Sequence, residues 1–275
     1  MNKLKEKDGR AIYVLGFPKS GNTWLARLLG EVTQSNILAE DPVNTADNSS
    51  DREGGFAIHK EHVARDEQVL LKEQVLLKEQ VVYIIRDIRD VLVSGFYHNH
   101  RWLNDEKINN NIIARLYFYA QIKRLNNKWQ GSYWNEIKYN AGLLIKRMVG
   151  YNFEKIRIGN WSNHVNYWSS KDFVVVRYED LLKDTKYELK RILSELEINT
   201  NDTIIEDAIK KQSFAKKKQD FIDAGDELNT KFLRSGKVGA WRNILPPNIV
   251  EIIEKEHGAA MNKYGYKLEH DQGEK

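Results

Sequence analysis

The chain of 275 residues contains no cysteine and four prolines. Without cysteine, disulfide bonds, thiolate metal ligands and cysteine nucleophiles are excluded. No apolar run is long enough to cross a bilayer, and no apolar signal-peptide core precedes the first strand-like segment at residues 11–17. We therefore expect a cytoplasmic protein without a membrane span.

The composition is that of a folded protein of mildly basic charge. Apolar residues make up 41% of the chain, aromatic residues 11%, and the formal net charge is +4. This charge suits an anionic ligand and a solvated lysine-rich surface equally well, so it does not choose between them. No linker of distinct composition is visible. We therefore expect one domain over residues 1–275, with residues 1–10 flexible.

Three apolar segments have the pattern of buried strands, and each is followed by a predicted helix. They are residues 11–17, 81–86 and 172–178. Continuous apolar runs that alternate with helices are typical of parallel sheets. The pattern predicts an α/β, P-loop-like three-layer fold with a central, mainly parallel sheet flanked by helices. Residues 33–60 are expected to form a loop or an excursion over the sheet, and 99–160 a helical segment.

The helix starts in the second half of the chain are predicted from capping residues. Thr185 with Glu188, and Thr203 with Glu206, have the spacing of capping boxes. The Pro246-Pro247 pair is expected to open the last helix.

A short loop between the first strand and helix has the features of an anion-binding turn. It reads Gly16-Phe-Pro-Lys-Ser-Gly-Asn-Thr-Trp24, and N–H groups at such a helix start attract phosphate. The nucleoside triphosphate P-loop has Lys directly after its second Gly, followed by Ser or Thr. Here Lys19 lies two residues before Gly21, and no Gly-Lys-Ser or Gly-Lys-Thr follows.

The loop resembles the 5′-phosphosulfate loop of sulfotransferases that use 3′-phosphoadenosine 5′-phosphosulfate (PAPS). The usual family form is Pro-Lys-Ser-Gly-Thr-Thr-Trp, and this chain has Asn22 at the first Thr, where its amide can still bond a phosphate. The resemblance implies that the cofactor-binding residues of this loop are Lys19, Ser20, Gly21, Asn22, Thr23 and Trp24.

Further segments resemble other cofactor elements of the same family, in the same order. In the segment Tyr83–Ser94, Arg86 and Ser94 match the residues that hold the 3′-phosphate, a role suited to a forked guanidinium. Tyr178 matches a tyrosine that touches the adenine, and Ser213-Phe214 a pair whose ring stacks on it opposite Trp24.

A second 3′-phosphate element is matched by Arg234, Ser235 and Gly236. Ser235 replaces the usual Lys of this element, and Ala240 replaces a usual Asp.

The catalytic base is predicted from the segment at residues 56–63. Lys60 and His62 match the Lys and His of the family's Lys-Thr-His element, and a neutral imidazole can accept a proton at cellular pH. The resemblance makes His62 the general base, with Lys60 near the transferred group and Lys19 at the leaving phosphate; His59 is the alternative base. The remaining histidines are expected to be structural or on the surface, and no metal is required.

The resemblance implies an enzyme that transfers the sulfuryl group of PAPS to an acceptor hydroxyl or amine by in-line displacement. The implied acceptor is a small molecule, a glycan or a lipid, with the helical segment 99–160 on the acceptor side, and a homodimer is possible. A kinase-like phosphotransferase and a non-catalytic protein that binds PAPS or polyanions are the alternatives. A nucleic-acid partner is not expected, because the aromatic residues of 96–168 mix with Leu and Ile at helical spacing, which is typical of a core.

Overall fold

A computed structural model describes residues 10–39, 56–61, 79–99, 120, 160–227, 230 and 236–270. These residues fall into two compact units. The first unit takes the described residues up to Arg86 and those from Trp168 to Gly236. The second takes 87–99, 160–167 and 237–270, with residue 120. The predicted helical segment 99–160 lies almost entirely outside the described residues, and the single domain stays a prediction.

The first unit is built on a five-stranded sheet whose paired strands all run parallel. The strand order is β2-β3-β1-β4-β5. The strands are β1 (Arg10–Gly16), β2 (Asn36–Ala39), β3 (Phe56–Glu61), β4 (Gln80–Ile85) and β5 (Val174–Arg177). The predicted P-loop-like α/β fold is confirmed.

Helices follow most of the strands, as the alternating pattern predicts. In chain order they are α1 (Asn22–Thr33), α2 (Ile88–Asn99), α3 (Trp161–Trp168), α4 (Tyr178–Lys183), α5 (Thr185–Glu195), α6 (Asp202–Lys211), α7 (Phe214–Asp223) and α8 (Pro247–Lys263). A short 3₁₀ turn spans Ala240–Asn243.

Helix α1 covers one face of the sheet with the apolar stripe that the sequence predicts. Leu25, Leu28, Leu29 and Val32 are buried in a core that also contains side chains of β1, β3, β4, β5, α5 and α6. On β4 all residues from Val81 to Ile85 are buried, so both faces of this strand are excluded from water. Such two-sided burial is what a continuous apolar run in a parallel sheet requires.

Three local predictions were wrong. β2 and all but the last residue of β3 lie within residues 33–60, the segment expected to be a loop. β2 was missed because a four-residue edge strand carries too little apolar signal. Tyr178 is the first residue of α4 and does not belong to the strand. Helices α5 and α6 are capped by Asp184 and Asn201, and not by the two threonines. The Asp184 side chain accepts the Tyr187 N–H, and the Asn201 side chain accepts the Ile204 N–H. The start of α8 at the proline pair is confirmed.

The second unit contains a buried network of charges around Arg89. Its guanidinium donates to Asp87 and Glu254 and lies over the ring of Trp241 at 3.9 Å. Burial opposes the charge on Arg89, but the hydrogen bonds and charges of the two carboxylates raise its pKa above the ordinary value. Burial likewise opposes the charge on Glu254, whose pKa is nevertheless lowered by N–H groups from Glu269 and His270. The network thereby attaches the residues after α8 to α2.

A second polar contact in this unit joins α3 to α8. Ser162 Oγ and His257 Nδ1 are 2.7 Å apart, and the ring of Trp161 lies edge-on to the imidazole. His257 is 3% exposed, and this burial lowers its pKa from 6.5 to about 4. The imidazole is therefore neutral in the folded protein near pH 7.

We expect the buried imidazole to make the protein sensitive to mild acid. Below pH 6.5 the unfolded chain binds a proton at His257 that the folded protein accepts only near pH 4. The free energy of unfolding should fall by about 3 kcal/mol as the pH drops through this window. His257→Gln keeps a hydrogen-bonding side chain without the titration, so urea denaturation between pH 7.5 and 4.5 should show a shallower fall for this variant. Parallel curves for the two proteins would contradict the assignment.

Candidate functional site

The carboxyl ends of the parallel strands bring several predicted site residues of the first unit to one edge of the sheet. β1 ends at Gly16, directly before the loop, and β4 is followed by Arg86. Lys60 is the penultimate residue of β3, and Tyr178 follows β5. In open parallel sheets ligands bind outside this edge. The topology therefore gathers residues that are far apart in the sequence.

The loop between β1 and α1 has an unusual backbone conformation. Lys19 and Gly21 both have positive φ angles, of 70° and 106°, and the Ser20 N–H donates to the Phe17 carbonyl at 3.1 Å. Gly21 is the N-cap of α1 and makes no side-chain cap bond, and no acidic residue lies in the first turn. The first N–H groups of a helix have no acceptor within it, so this end of α1 suits an anion.

Asn22 closes the loop. Its Nδ2 donates to the Gly16 carbonyl at 2.9 Å. A Cβ on residue 16 would lie 2.7 Å from Asn22 Oδ1 and from the Ile84 carbonyl, so this position has no room for a side chain. The amide that the sequence assigns to a phosphate thus joins the two ends of the loop, and its contact with a phosphate stays a prediction.

Several buried polar atoms near this edge have no hydrogen-bond partner among the described residues, and two of them are donors on residues that the sequence assigns to the site. These two donors are Ser20 Oγ, on a fully buried residue of the loop, and Arg86 Nε. An unsatisfied buried polar group costs about 1–3 kcal/mol, so such groups mark places where a ligand can form the missing bonds. Both donors suit an anionic group, and their assignment to the phosphates of a nucleotide stays a prediction.

Arg86 is held on two sides. Its Nη1 donates to the Lys19 carbonyl at 3.2 Å, and its guanidinium carbon lies 4.2 Å from the centre of the Tyr178 ring. The same ring packs against Gly21, where a Cβ would lie 2.6 Å from a ring carbon. The loop, β4 and β5 therefore meet at Arg86 and Tyr178.

The aromatic residues assigned to adenine, Trp24, Tyr178 and Phe214, are held by ring packing, by a hydrogen bond to a backbone carbonyl and by close approach to a glycine. Trp24 lies edge-on to Tyr178, with ring centres 5.7 Å apart, and its Nε1 donates to the Gln212 carbonyl. Gly236 has no room for a Cβ, which would lie 2.6 Å from the Phe214 ring. Ser213 accepts the Lys216 N–H and caps α7, so this hydroxyl has a structural role that the resemblance does not require.

The alternation of β3 places His59 and Lys60 on opposite faces of the sheet. Lys60 is buried and pairs in register with Val14, on the face that carries Ile58. His59 lies on the opposite face, where its ring stacks on Tyr13 with centres 4.7 Å apart. His59 and Lys60 therefore point to different sides of the sheet.

The remaining predicted residues are not placed in this arrangement. His62, Arg234 and Ser235 lie outside the described residues. Ser94 is half-buried on α2, in the second unit. Their roles stay predictions.

Comparison with known proteins now identifies the family. The family model described as "Sulfotransferase domain" matches residues 10–265. The chain belongs to this sulfotransferase family.

Individual relatives are distant from the chain in sequence. Mouse sulfotransferase 2A6 is 25% identical over 185 residues, which cover 63% of this chain and 53% of that protein, so the match spans about half the length of this relative. Guinea pig 3-beta-hydroxysteroid sulfotransferase is 27% identical over 198 residues, covering 68% of this chain and 58% of that protein. A solved structure, mouse sulfotransferase SULT7A1 complexed with PAP, has the same fold, with a TM-score of 0.60, 21% identity, and coverage of 93% of this chain and 85% of that one.

The described part of this sulfotransferase contains neither a membrane-spanning helix nor a cluster of metal ligands. Within the described ranges, no helix combines the length and the apolar composition that a bilayer crossing requires. In the same part of the chain, no group of three or more His, Cys, Asp or Glu residues could hold a metal ion.

Some functional contacts of the sulfotransferase site had no counterpart in the sequence prediction. The sequence places Gly16 within the strand-like segment 11–17 and at the start of the loop, but the lack of room for its Cβ depends on Asn22 and Ile84. The acceptor for Trp24 is a backbone carbonyl, that of Gln212, and residue type carries no signal for such a contact. A glycine that ends a strand directly before a phosphate loop is the signal that could have identified Gly16.

We expect Gly21→Ala to destabilise the protein more than Gly225→Ala. Both glycines have positive φ, but a Cβ on Gly225 would meet nothing within 4 Å, whereas one on Gly21 would overlap the Tyr178 ring. Left-handed backbone costs about 1–2 kcal/mol for a residue with a Cβ, and the overlap should raise the cost at Gly21 to about 2–4 kcal/mol. Urea denaturation of both variants measures the difference, and equal destabilisation would show that Tyr178 does not press on the loop.

Proposed function

We propose that this chain is a sulfotransferase that moves the sulfuryl group of PAPS to an acceptor hydroxyl or amine. The observation that carries the proposal is the pair of unsatisfied buried donors, Ser20 Oγ and Arg86 Nε, at the carboxyl edge of the sheet. Membership of the sulfotransferase family supports it, as does the complex that the structural relative SULT7A1 forms with PAP.

The residues divide into three groups by the part of the nucleotide they would hold: the 5′ end, the 3′-phosphate and the base. The loop from Lys19 to Trp24, at the start of α1, would bind the 5′ end. The 3′-phosphate would be bound by Arg86, together with Ser94, Arg234, Ser235 and Gly236. Trp24, Tyr178 and Phe214 would contact the base. When bound, PAPS supplies the sulfuryl group and a leaving 5′-phosphate.

The protein's own groups would act on charge and on one proton. Lys19 places a cation in the loop, where negative charge grows on the leaving oxygen during an in-line displacement. Lys60 supplies a second cation, buried at the end of β3. His62 accepts the proton of the acceptor group as general base. The alternation of β3 supports His62 over His59, because His59 lies on the face opposite Lys60.

For the acceptor, we propose a small molecule with a hydroxyl group. One relative is named a 3-beta-hydroxysteroid sulfotransferase, and this name supports the class of acceptor without choosing a compound. A screen of small hydroxyl compounds with radiolabelled PAPS tests the reaction. Transfer of label to no acceptor, with tight PAP binding retained, would favour the non-catalytic alternative.

We expect adenosine 3′,5′-bisphosphate to raise the melting temperature much more than ATP with Mg²⁺. A ligand that binds the folded state at 100 times its Kd stabilises it by about 2.7 kcal/mol. ATP lacks the 3′-phosphate assigned to Arg86, and the loop lacks the lysine that follows the second glycine in kinases. Thermal denaturation with each nucleotide measures the difference, and greater stabilisation by ATP with Mg²⁺ would favour a phosphotransferase.

We expect His62→Ala to lower turnover by about 10²–10⁴-fold, the usual contribution of a general base. Affinity for adenosine 3′,5′-bisphosphate should change little, because the imidazole is assigned to the acceptor. The matched control is His59→Ala, three positions earlier, whose ring stacks on Tyr13. It should retain near wild-type turnover. Loss of turnover in His59→Ala and not in His62→Ala would exchange the two assignments.

A further inference from the structure

Lys19 is held in a conformation that a residue with a side chain rarely adopts. Its φ of 70° lies in the left-handed region, where each non-glycine residue costs about 1–2 kcal/mol relative to ordinary backbone. Such strain persists where surrounding contacts fix the backbone. One contact on the Lys19 peptide itself is the hydrogen bond from Arg86 Nη1 to its carbonyl.

The position of Arg86 is in turn fixed by Tyr178. The aromatic ring lies under the guanidinium at 4.2 Å and also packs against Gly21, two residues after Lys19. Arg86 and Tyr178 therefore contact the loop at two points, one through a hydrogen bond and one through packing. Both come from strand ends that neighbour β1 on the same side of the sheet, β4 and then β5.

We infer that Arg86 is a positioning residue for the 5′-phosphate loop, in addition to its proposed role as a ligand of the 3′-phosphate. It acts through the Lys19 carbonyl, which it holds so that the loop N–H groups and the Lys19 side chain face the 5′ end of the nucleotide. The Tyr178 ring keeps the guanidinium in place. This inference rests on the proposed function, because it concerns how the same site holds its nucleotide.

The forked side chain makes the two roles compatible. A guanidinium carries five N–H donors in a fixed plane, so one nitrogen can hold a carbonyl while others face a phosphate. Nη1 donates to the Lys19 carbonyl, and the buried Nε has no partner among the described residues. A lysine has a single donor centre on a flexible stem and cannot keep the carbonyl bond, the stacked position and a phosphate contact together.

The test measures how much each phosphate contributes to binding. The dissociation constants of adenosine, adenosine 5′-phosphate and adenosine 3′,5′-bisphosphate are measured by titration calorimetry, with competition for weak ligands. The ratio of the first two gives the contribution of the 5′-phosphate, and the ratio of the last two that of the 3′-phosphate. Comparison with adenosine removes any effect of a variant on the base.

The decisive variant is Arg86→Lys, which keeps the positive charge and removes the forked contact. We expect the contribution of the 5′-phosphate to fall about tenfold in this variant, the size of one lost charge-assisted hydrogen bond. Tyr178→Leu, which frees the guanidinium, should lower the same contribution in the same direction. The matched control is Arg177→Lys, at the end of β5, where the arginine pairs with Asp180 at 3.7 Å. It should leave both ratios within about twofold of wild type.

The outcomes separate this inference from the proposed function. If Arg86→Lys lowers only the contribution of the 3′-phosphate, Arg86 is a ligand and not a positioning residue, and the inference is overturned. If wild-type protein gains no affinity from either phosphate, the proposed function itself fails. The melting temperatures of the unliganded variants are measured alongside the titrations. If Arg86→Lys lowers the melting temperature and weakens the binding of all three ligands by the same factor, the variant acts through general stability, and the inference is contradicted.

Discussion

The turn between β1 and α1 places Lys19 and Gly21 in the left-handed region, and the carboxyl edge of the sheet is arranged around this turn. The turn leads directly into the first N–H groups of α1, which have no acceptor within the helix, but its conformation is unfavourable for Lys19. Neighbours compensate for that cost. Asn22 joins the ends of the loop, Arg86 bonds the Lys19 carbonyl, and Tyr178 packs on Gly21. The loop is therefore shaped by contacts within the protein before any anion binds.

A parallel sheet is what allows such distant residues to cooperate. The loop, Lys60, Arg86 and Tyr178 each follow or end a different strand, and parallel strands bring those ends to one edge. The cations at this edge differ in surroundings. Lys60 is buried on the face of β3 that carries Ile58, whereas Arg86 is half-buried and stacked on the Tyr178 ring. A site for a nucleotide with an anionic group at each end needs such separated cations, since each end carries its own charge.

Much of this arrangement could be predicted from the sequence, since long apolar runs gave the central strands and the loop motif gave the position of the site. β2 was missed because four residues at a sheet edge leave little signal. Glu179 and Asp180 did signal the helix that begins at Tyr178, since acidic residues favour a first turn, yet the apolar run before them was extended too far. The carbonyl acceptors of Arg86 and Trp24 could not be predicted, because backbone oxygens are the same at every residue.

The departure at Asn22 shows how one substitution bears on the choice between phosphoryl and sulfuryl transfer. A kinase loop has lysine directly after its second glycine and then a hydroxyl for Mg²⁺. Here that lysine position is Asn22, whose amide is bonded to the Gly16 carbonyl, and Gly16 has no room for a side chain beside it. A lysine at residue 22 has no side-chain amide, so the loop would lose the amide hydrogen bond to the Gly16 carbonyl that joins its ends. In the proposed reaction, Lys19, on the other side of Gly21, supplies the charge for the leaving group. The absence of a lysine at residue 22, where Asn22 closes the loop, thus supports the proposed sulfuryl transfer over a kinase reaction.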